Sequence, residues 1–264
     1  SKLQRMWEEA NVGLEVSDYY KGSLERRMFR PPFIQFFECT NILIENIKII
    51  NSPFWTVNPA FCDNVVVHGV TIKNPDKNPK GPNTDGINPT SCRNVRISDC
   101  FISVGDDCIT IKSGRDADGR KYGKACENIT ITNCIMLSGH GGVVIGSEMS
   151  GGVKRVTISN CVFDGTDAGI RLKASRGRGG VVEQIRVDNI VMRNIQRNAF
   201  IFDLFYDKTS KVEPVSERTP IFRNIHLSNI TGREIKQIGY ISGIEEMPVQ
   251  NISFNNLNME AEKG

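Results

Sequence analysis

Asn128-Ile129-Thr130-Ile131-Thr132-Asn133-Cys134 is one copy of a phrase that recurs along the chain. It runs asparagine, β-branched residue, variable residue, second β-branched residue and, a little further on, another asparagine or aspartate before an apolar residue. The phrase reads again at Asn41-Ile42-Leu43-Ile44, Asn64-Val65-Val66-Val67, Asn94-Val95-Arg96-Ile97, Arg155-Val156-Thr157-Ile158, Gln184-Ile185-Arg186-Val187, Asn224-Ile225-His226-Leu227 and Asn251-Ile252-Ser253-Phe254. Successive copies start 23, 30, 34, 27, 29, 40 and 27 residues apart. An apolar residue at every second position makes a strand with one buried face. A period of this size that varies from copy to copy is that of a solenoid with loops of unequal length. Ankyrin, tetratricopeptide and leucine-rich repeats need a helix or a leucine-rich consensus in each unit. Here only Leu3 to Ala10 carries a helical period, so the expected architecture is all-β, a right-handed parallel β-helix.

The cysteines keep the same period. Cys39, Cys62, Cys92 and Cys126 each stand two residues before a copy's first residue, and Cys100, Cys134 and Cys161 each stand six after it. Stacked coils would line them up as two ladders. The even count of 8 is the only sign of disulfides, and no CxxC pair suggests a metal, so small buried apolar side chains are the expected role. The asparagines that open the copies are read as turn and stacking residues, and His68 and His226, on repeat strands, as structural.

The 264 residues are enough for one large core, and a single β-helix domain over residues 1–264 is expected. The last copy of the repeat ends at Met259-Glu260-Ala261 without a capping element, so the chain is expected to lack terminal coils or caps of a longer protein. A net charge of +3 with scattered lysines and arginines gives no nucleic-acid stripe. No apolar run approaches the roughly 20 residues of a membrane span. The start at Ser1 shows no export signal, so localisation has to follow from function.

Four polar phrases interrupt the apolar pattern: Asn83-Thr84-Asp85, Gly105-Asp106-Asp107, Gly139-His140-Gly141 and Arg171-Leu172-Lys173. Each adjoins a strand-like run, and matching Ile87, Ile109, Val143 and Ile170 brings them into register. Asp85 and Asp107 then share one slot on neighbouring coils, and Asp106 and His140 share the slot before it. Arg171 and Lys173 flank the inward Leu172 and therefore face outward. Strict alternation would send Asp106 and Asp107 to opposite faces, so irregular backbone is expected at Gly105. Closely packed carboxyl groups push at least one proton affinity up, leaving one acid protonated beside ionised neighbours. Glycoside hydrolysis needs such an acid and such a base. An aspartate beside a glycine is by itself an ordinary turn. Lys112 shares the slot of Lys173 and is read as a solvated residue.

With these four phrases in this order, the sequence resembles the polygalacturonase family of pectin hydrolases, glycoside hydrolase family 28, from Arg30-Pro31-Pro32 to Tyr206. Asn51-Ser52-Pro53-Phe54-Trp55 and Gly146-Ser147-Glu148-Met149-Ser150-Gly151-Gly152 resemble its bacterial branch. The resemblance implies that Asp106 is the general acid, that Asp85 and Asp107 hold the attacking water, and that the anomeric carbon is inverted. It further implies that His140 supports the acid, that Arg171, Lys173 and Tyr206 bind galacturonate, and that no metal or organic cofactor takes part. The expected partner is a pectic polysaccharide or oligogalacturonate, with no nucleic acid and no membrane, met by a secreted or periplasmic monomer. The charged loop Gly114-Arg115-Asp116-Ala117-Asp118-Gly119-Arg120 either closes one end of the cleft or is solvated. Rival readings are a pectate lyase, which needs calcium and a basic proton acceptor, and a non-catalytic carbohydrate-binding β-helix.

Overall fold

Each copy of the repeat forms a strand in the computed structural model, which describes residues 30–76, 80–206 and 211–263. The helical period at Leu3 to Ala10 lies outside the described residues. The eight repeat strands, Thr40–Glu45, Asp63–His68, Arg93–Ser98, Cys126–Thr132, Val153–Asp164, Val181–Arg193, Ile221–Ser242 and Gln250–Lys263, stack in parallel in chain order. Ile42, Val65, Val95, Ile129, Val156, Ile185, Ile225 and Ile252 stand opposite one another along this ladder. Ile42 and Ile44 point into the core while Leu43 between them is 59% exposed, the period-two pattern read in the sequence.

A second ladder begins with Lys48–Ile50, Thr71–Lys73, Phe101–Ser103 and Ile135–Ser138 and continues in the far halves of the longer strands. A third runs from Ile34–Phe37 and Val57–Ala60, through a bridge at Ile87, to Ile109–Ile111, Val143–Gly146, Ala168–Lys173 and Asn198–Asp203. It closes on the end of Ile221–Ser242. Three parallel ladders around one apolar interior are the right-handed parallel β-helix that the sequence predicts.

The opening residue of each copy explains how the chain turns the corner. All eight adopt left-handed backbone, with φ between 50° and 58°, a region that asparagine enters more readily than most residues because its short side chain bonds locally. The side chains also stack. Asn64 Nδ2 donates to Asn41 Oδ1 at 2.7 Å, Asn128 Nδ2 to Asn94 Oδ1 at 3.0 Å and Asn251 Nδ2 to Asn224 Oδ1 at 2.6 Å. The cysteines are unpaired thiols, all but Cys39 buried; the Cys92 N–H lies 3.4 Å from Cys126 Sγ, so the ladder is real and bridge-free.

One element was not anticipated. Asp116–Tyr122 is a helix inside the charged loop, with Asp116 and Asp118 in its first turn, Arg120 and Lys121 in its last, and Gly123 in left-handed backbone closing it. That charge order and the terminal glycine are ordinary helix signals, but seven residues between strand-rich segments hide them.

Candidate active site

The third ladder carries the site. Ile87 pairs with Ile109, Ile109 with Val143 and Val143 with Ile170, the register inferred from the four polar phrases. Asp85 and Asp107 are consequently neighbours on adjacent coils, and the Gly86 N–H donates to Asp107 O at 3.0 Å. Both aspartates are buried. The His140 N–H donates to Asp106 O at 2.9 Å, and His140 Nδ1 lies 3.1 Å from Asp106 Oδ1.

The expected irregularity lies between Ser103, which ends one strand, and Ile109, which starts the next. Gly105 takes no positive φ. It is needed for space: a Cβ there would come within 2.6 Å of Gly81 N and Pro75 O. The backbone at Pro75 and Gly81 therefore packs directly against the bend that carries Asp106. Asp106 is then held by the backbone N–H of Asp107 at 2.9 Å and that of Asn83 at 3.2 Å.

On the strand Ala168–Lys173, Leu172 is inward, and Lys173 reaches over the site to donate to Asp107 Oδ2 at 2.9 Å. Asp107 Oδ1 makes no hydrogen bond within the protein, so acceptor capacity remains on the carboxylate. Tyr206 joins the group: the Arg171 guanidinium lies 5.5 Å and Lys173 Nζ 5.7 Å from its ring centre. All seven residues expected at the site thus converge.

Electrostatics divide the three aspartates. Burial, followed by the charges of Asp106 and Asp107, pushes Asp85 up to about 8, against the pull of Lys112 and Lys173. For Asp106, burial also acts upward, but the hydrogen bond and charge of His140, the charge of Lys173 and the Asp107 N–H hold its carboxyl below the usual range. The hydrogen bond to Asp106 raises His140 in return. In the free protein burial therefore favours the proton on Asp85, while His140 favours the ionised form of Asp106.

Lys112 departs from its expected role. It is buried, its Nζ lies 2.9 Å from Glu148 Oε2 and 5.0 Å from the Trp55 ring centre, and the charges of Glu148, Asp85 and Asp107 hold its proton. Glu148 is held well below the usual carboxylate range despite burial, by the charge and hydrogen bond of Lys112. Trp55 was legible by carrying the register one coil back, since Val57 pairs with Ile87 and Trp55 precedes Val57 by two. Glu148 lies in the phrase Gly146–Gly152 that carries the resemblance, but no register argument assigned it a role. The loop after Lys112 is anchored at two points, Gly119 being buried and Arg120 donating to the carbonyls of Gly177 and Arg178, while Ala117 and Asp118 are exposed.

One oxygen or nitrogen from each of Asp106, Asp107 and His140 lies within 4.8 Å of the others, close enough to surround a cation. Two of those acceptors already face positive groups, Asp107 the Lys173 ammonium and Asp106 the raised imidazole. A metal would have to displace them. Among the described residues, no helix is long and apolar enough to cross a membrane.

The family model for "Glycosyl hydrolases family 28" matches residues 18–264. A probable polygalacturonase of Vitis vinifera is 33% identical over 94% of this chain and 49% of its own length. The endo-polygalacturonase of Pectobacterium carotovorum subsp. carotovorum is 30% identical over 88% of this chain and 53% of its own. The crystal structure of a hyperthermoactive exopolygalacturonase from Thermotoga maritima superposes with a TM-score of 0.80 at 34% identity, covering 98% of this chain and 56% of that one. Plant and bacterial relatives both occur, and the chain spans about half the length of the curated relatives it matches.

Proposed function

Since the chain belongs to family 28 of the glycosyl hydrolases, we propose that it hydrolyses the α-1,4-galacturonosyl linkages of pectin or polygalacturonate with inversion at the anomeric carbon. The observation that carries this reading is the stacking of Asp85, Asp106, Asp107 and Lys173 on one ladder, where three carboxyl groups meet a cation. Asp106, turned to the cleft and backed by His140, donates the proton to the leaving oxygen. His140, whose proton affinity Asp106 has raised, resupplies it through the 3.1 Å contact. Asp107 accepts from the attacking water together with Asp85. Two carboxyl groups acting on opposite sides of the bond are what inverting hydrolysis requires. Arg171 and Lys173, packed on Tyr206, neutralise the carboxylate of the sugar at the cleaved bond.

A proton must then leave Asp85 when substrate binds, because in the free protein that carboxyl holds it. Strongly interacting carboxyl groups share protons as a set, so a bound substrate redistributes the same proton rather than requiring a new one. All of these groups come from one chain, which supports action as a monomer, and a pectic substrate supports action outside the cell or in the periplasm. Endo and exo relatives both align with the chain.

The test is a time course on polygalacturonate that follows reducing ends together with ultraviolet absorbance from unsaturated products. Reducing ends without absorbance are expected. Absorbance rising in step would mean elimination and a lyase, and no product would mean a binding protein.

A further inference from the structure

Beyond the seven residues of the site, Asp203 and Tyr240 stand on the same ladder, next to Lys173 and Arg171. Asp203 closes the strand Asn198–Asp203 and lies opposite Lys173 on the neighbouring coil. Tyr240, near the end of Ile221–Ser242, lies opposite Ile201, which in turn lies opposite Arg171. With strands about 4.8 Å apart, Arg171, Ile201 and Tyr240 form one outer row, and Lys173 and Asp203 belong to the row beside it. Phe200 and Phe202 fill the interior. Ile201 between them points outward, yet it is only 6% exposed, so side chains close over the row at this point.

The chain leaves the strand in a turn whose three backbone donors all have acceptors. The Leu204 N–H donates to Ser242 O at 2.9 Å and the Tyr206 N–H to Ala174 O at 3.0 Å. Between them, the Phe205 N–H donates to Asp203 Oδ1 at 2.8 Å, a turn in which an aspartate bonds its own backbone two residues on. The other carboxylate oxygen, Oδ2, accepts from the Tyr240 hydroxyl at 3.2 Å. Burial, then the charge and hydrogen bond of Asp203, push the Tyr240 phenol up from its ordinary value, so the hydroxyl stays a donor. Asp203 thus spends its oxygens on the turn and the phenol rather than on Lys173, whose ammonium is on Asp107.

The turn ends at Tyr206, and the Arg171 guanidinium and Lys173 Nζ lie 5.5 and 5.7 Å from the centre of its ring. Where that ring stands therefore decides how two cations are presented. A turn fixed in advance spares the substrate the cost of ordering it. Resting on the hydrolase reading above, we infer that Asp203 and Tyr240 are positioning residues, which together hold the turn that sets Tyr206 against Arg171 and Lys173 and so shape the clamp for the substrate carboxylate.

The experiment measures kcat and KM on oligogalacturonate for the unaltered protein, Asp203→Ala, Asp203→Asn, Tyr240→Phe and Tyr206→Ala, and for Asp203→Ala and Tyr240→Phe each combined with Tyr206→Ala. Asp203→Ala is expected to raise KM about tenfold, the scale of one charge-assisted hydrogen bond, with kcat largely kept because the clamp supplies binding. Tyr240→Phe should raise KM about threefold, the scale of one neutral hydrogen bond. Asp203→Asn keeps an oxygen for the Phe205 N–H and should recover most of the loss. In the Tyr206→Ala background both rises should vanish, since the two residues act through that ring. A merely structural role would lower the melting temperature and leave KM unmoved. Unmoved KM in both Asp203→Ala and Tyr240→Phe, or rises that persist in full without Tyr206, overturn the inference. Should Asp203→Ala fail to fold, Tyr240→Phe decides by the same criterion. If the unaltered protein cleaves nothing, the hydrolase reading falls, and calorimetric titration of the same variants with oligogalacturonate decides the positioning separately. Affinity losses that vanish without Tyr206 support it; losses that persist, or no binding by the unaltered protein, overturn it.

Discussion

Lys173 Nζ lies 2.9 Å from Asp107 Oδ2, an ion pair between side chains 66 positions apart in sequence and almost shut off from solvent. Stacking brings the two together, because Lys173 sits two coils on from Asp107, with the strand Val143–Gly146 on the coil between.

Replacing Lys173 by Met leaves Asp107 buried and uncompensated. The expected cost is about 3–5 kcal/mol in the urea denaturation free energy, along with loss of turnover. Adding Asp107→Asn should return part of that stability, since the stranded charge is then gone. No recovery in the double variant would show that the pair does not hold the coil.

The Asp106–His140 pair makes stability depend on pH from both sides. Asp106 is held low, so its contribution is lost as pH falls through its native value; His140 is held high, so its contribution is lost as pH rises through its own. His140→Gln should therefore lower the urea midpoint most at roughly pH 5–7, where carboxylate and imidazolium coexist. It should also reduce kcat/KM about a hundredfold, the low end for a proton-transfer step.

Asp85 runs the other way. Its carboxyl is pushed up to about 8 by burial and by the neighbouring aspartates, so the folded state favours the neutral form and stability falls as pH climbs from about 4, where unfolded aspartates ionise, toward that value. Asp85→Asn is expected to be more stable than the unaltered protein above pH 8, by up to about 5 kcal/mol, and equally stable at pH 4, while losing activity. Identical melting at both pH values would contradict the buried neutral carboxyl.

Lys112 pulls Asp85 downward. Lys112→Met should raise Asp85 further and move the acid limb of the pH–rate profile to higher pH. Trp55 emission should change as well, because the ammonium sits 5.0 Å from that ring. A shifted emission with an unmoved limb would confine Lys112 to packing.

Gly105→Ala would drive a methyl into the backbone at Pro75 and Gly81. A loss of about 1–3 kcal/mol by thermal or chemical denaturation is expected, together with a larger loss of turnover, since Asp106 hangs on the same bend.

By itself the sequence determined the strands, the corners and the register. Side chains repeat in a solenoid because each coil meets only its neighbours, so Ile87, Ile109, Val143 and Ile170 could be matched by eye and the aspartates, His140, Arg171 and Lys173 fell into one patch. Tertiary structure alone decided which carboxyl keeps the proton. That depends on how deeply the fold buries Asp85 and on Lys112 and Lys173 arriving from other coils. The ordered helix Asp116–Tyr122 belongs with it. Loops carry no repeat, and the positions of their charges are fixed only by what they pack against.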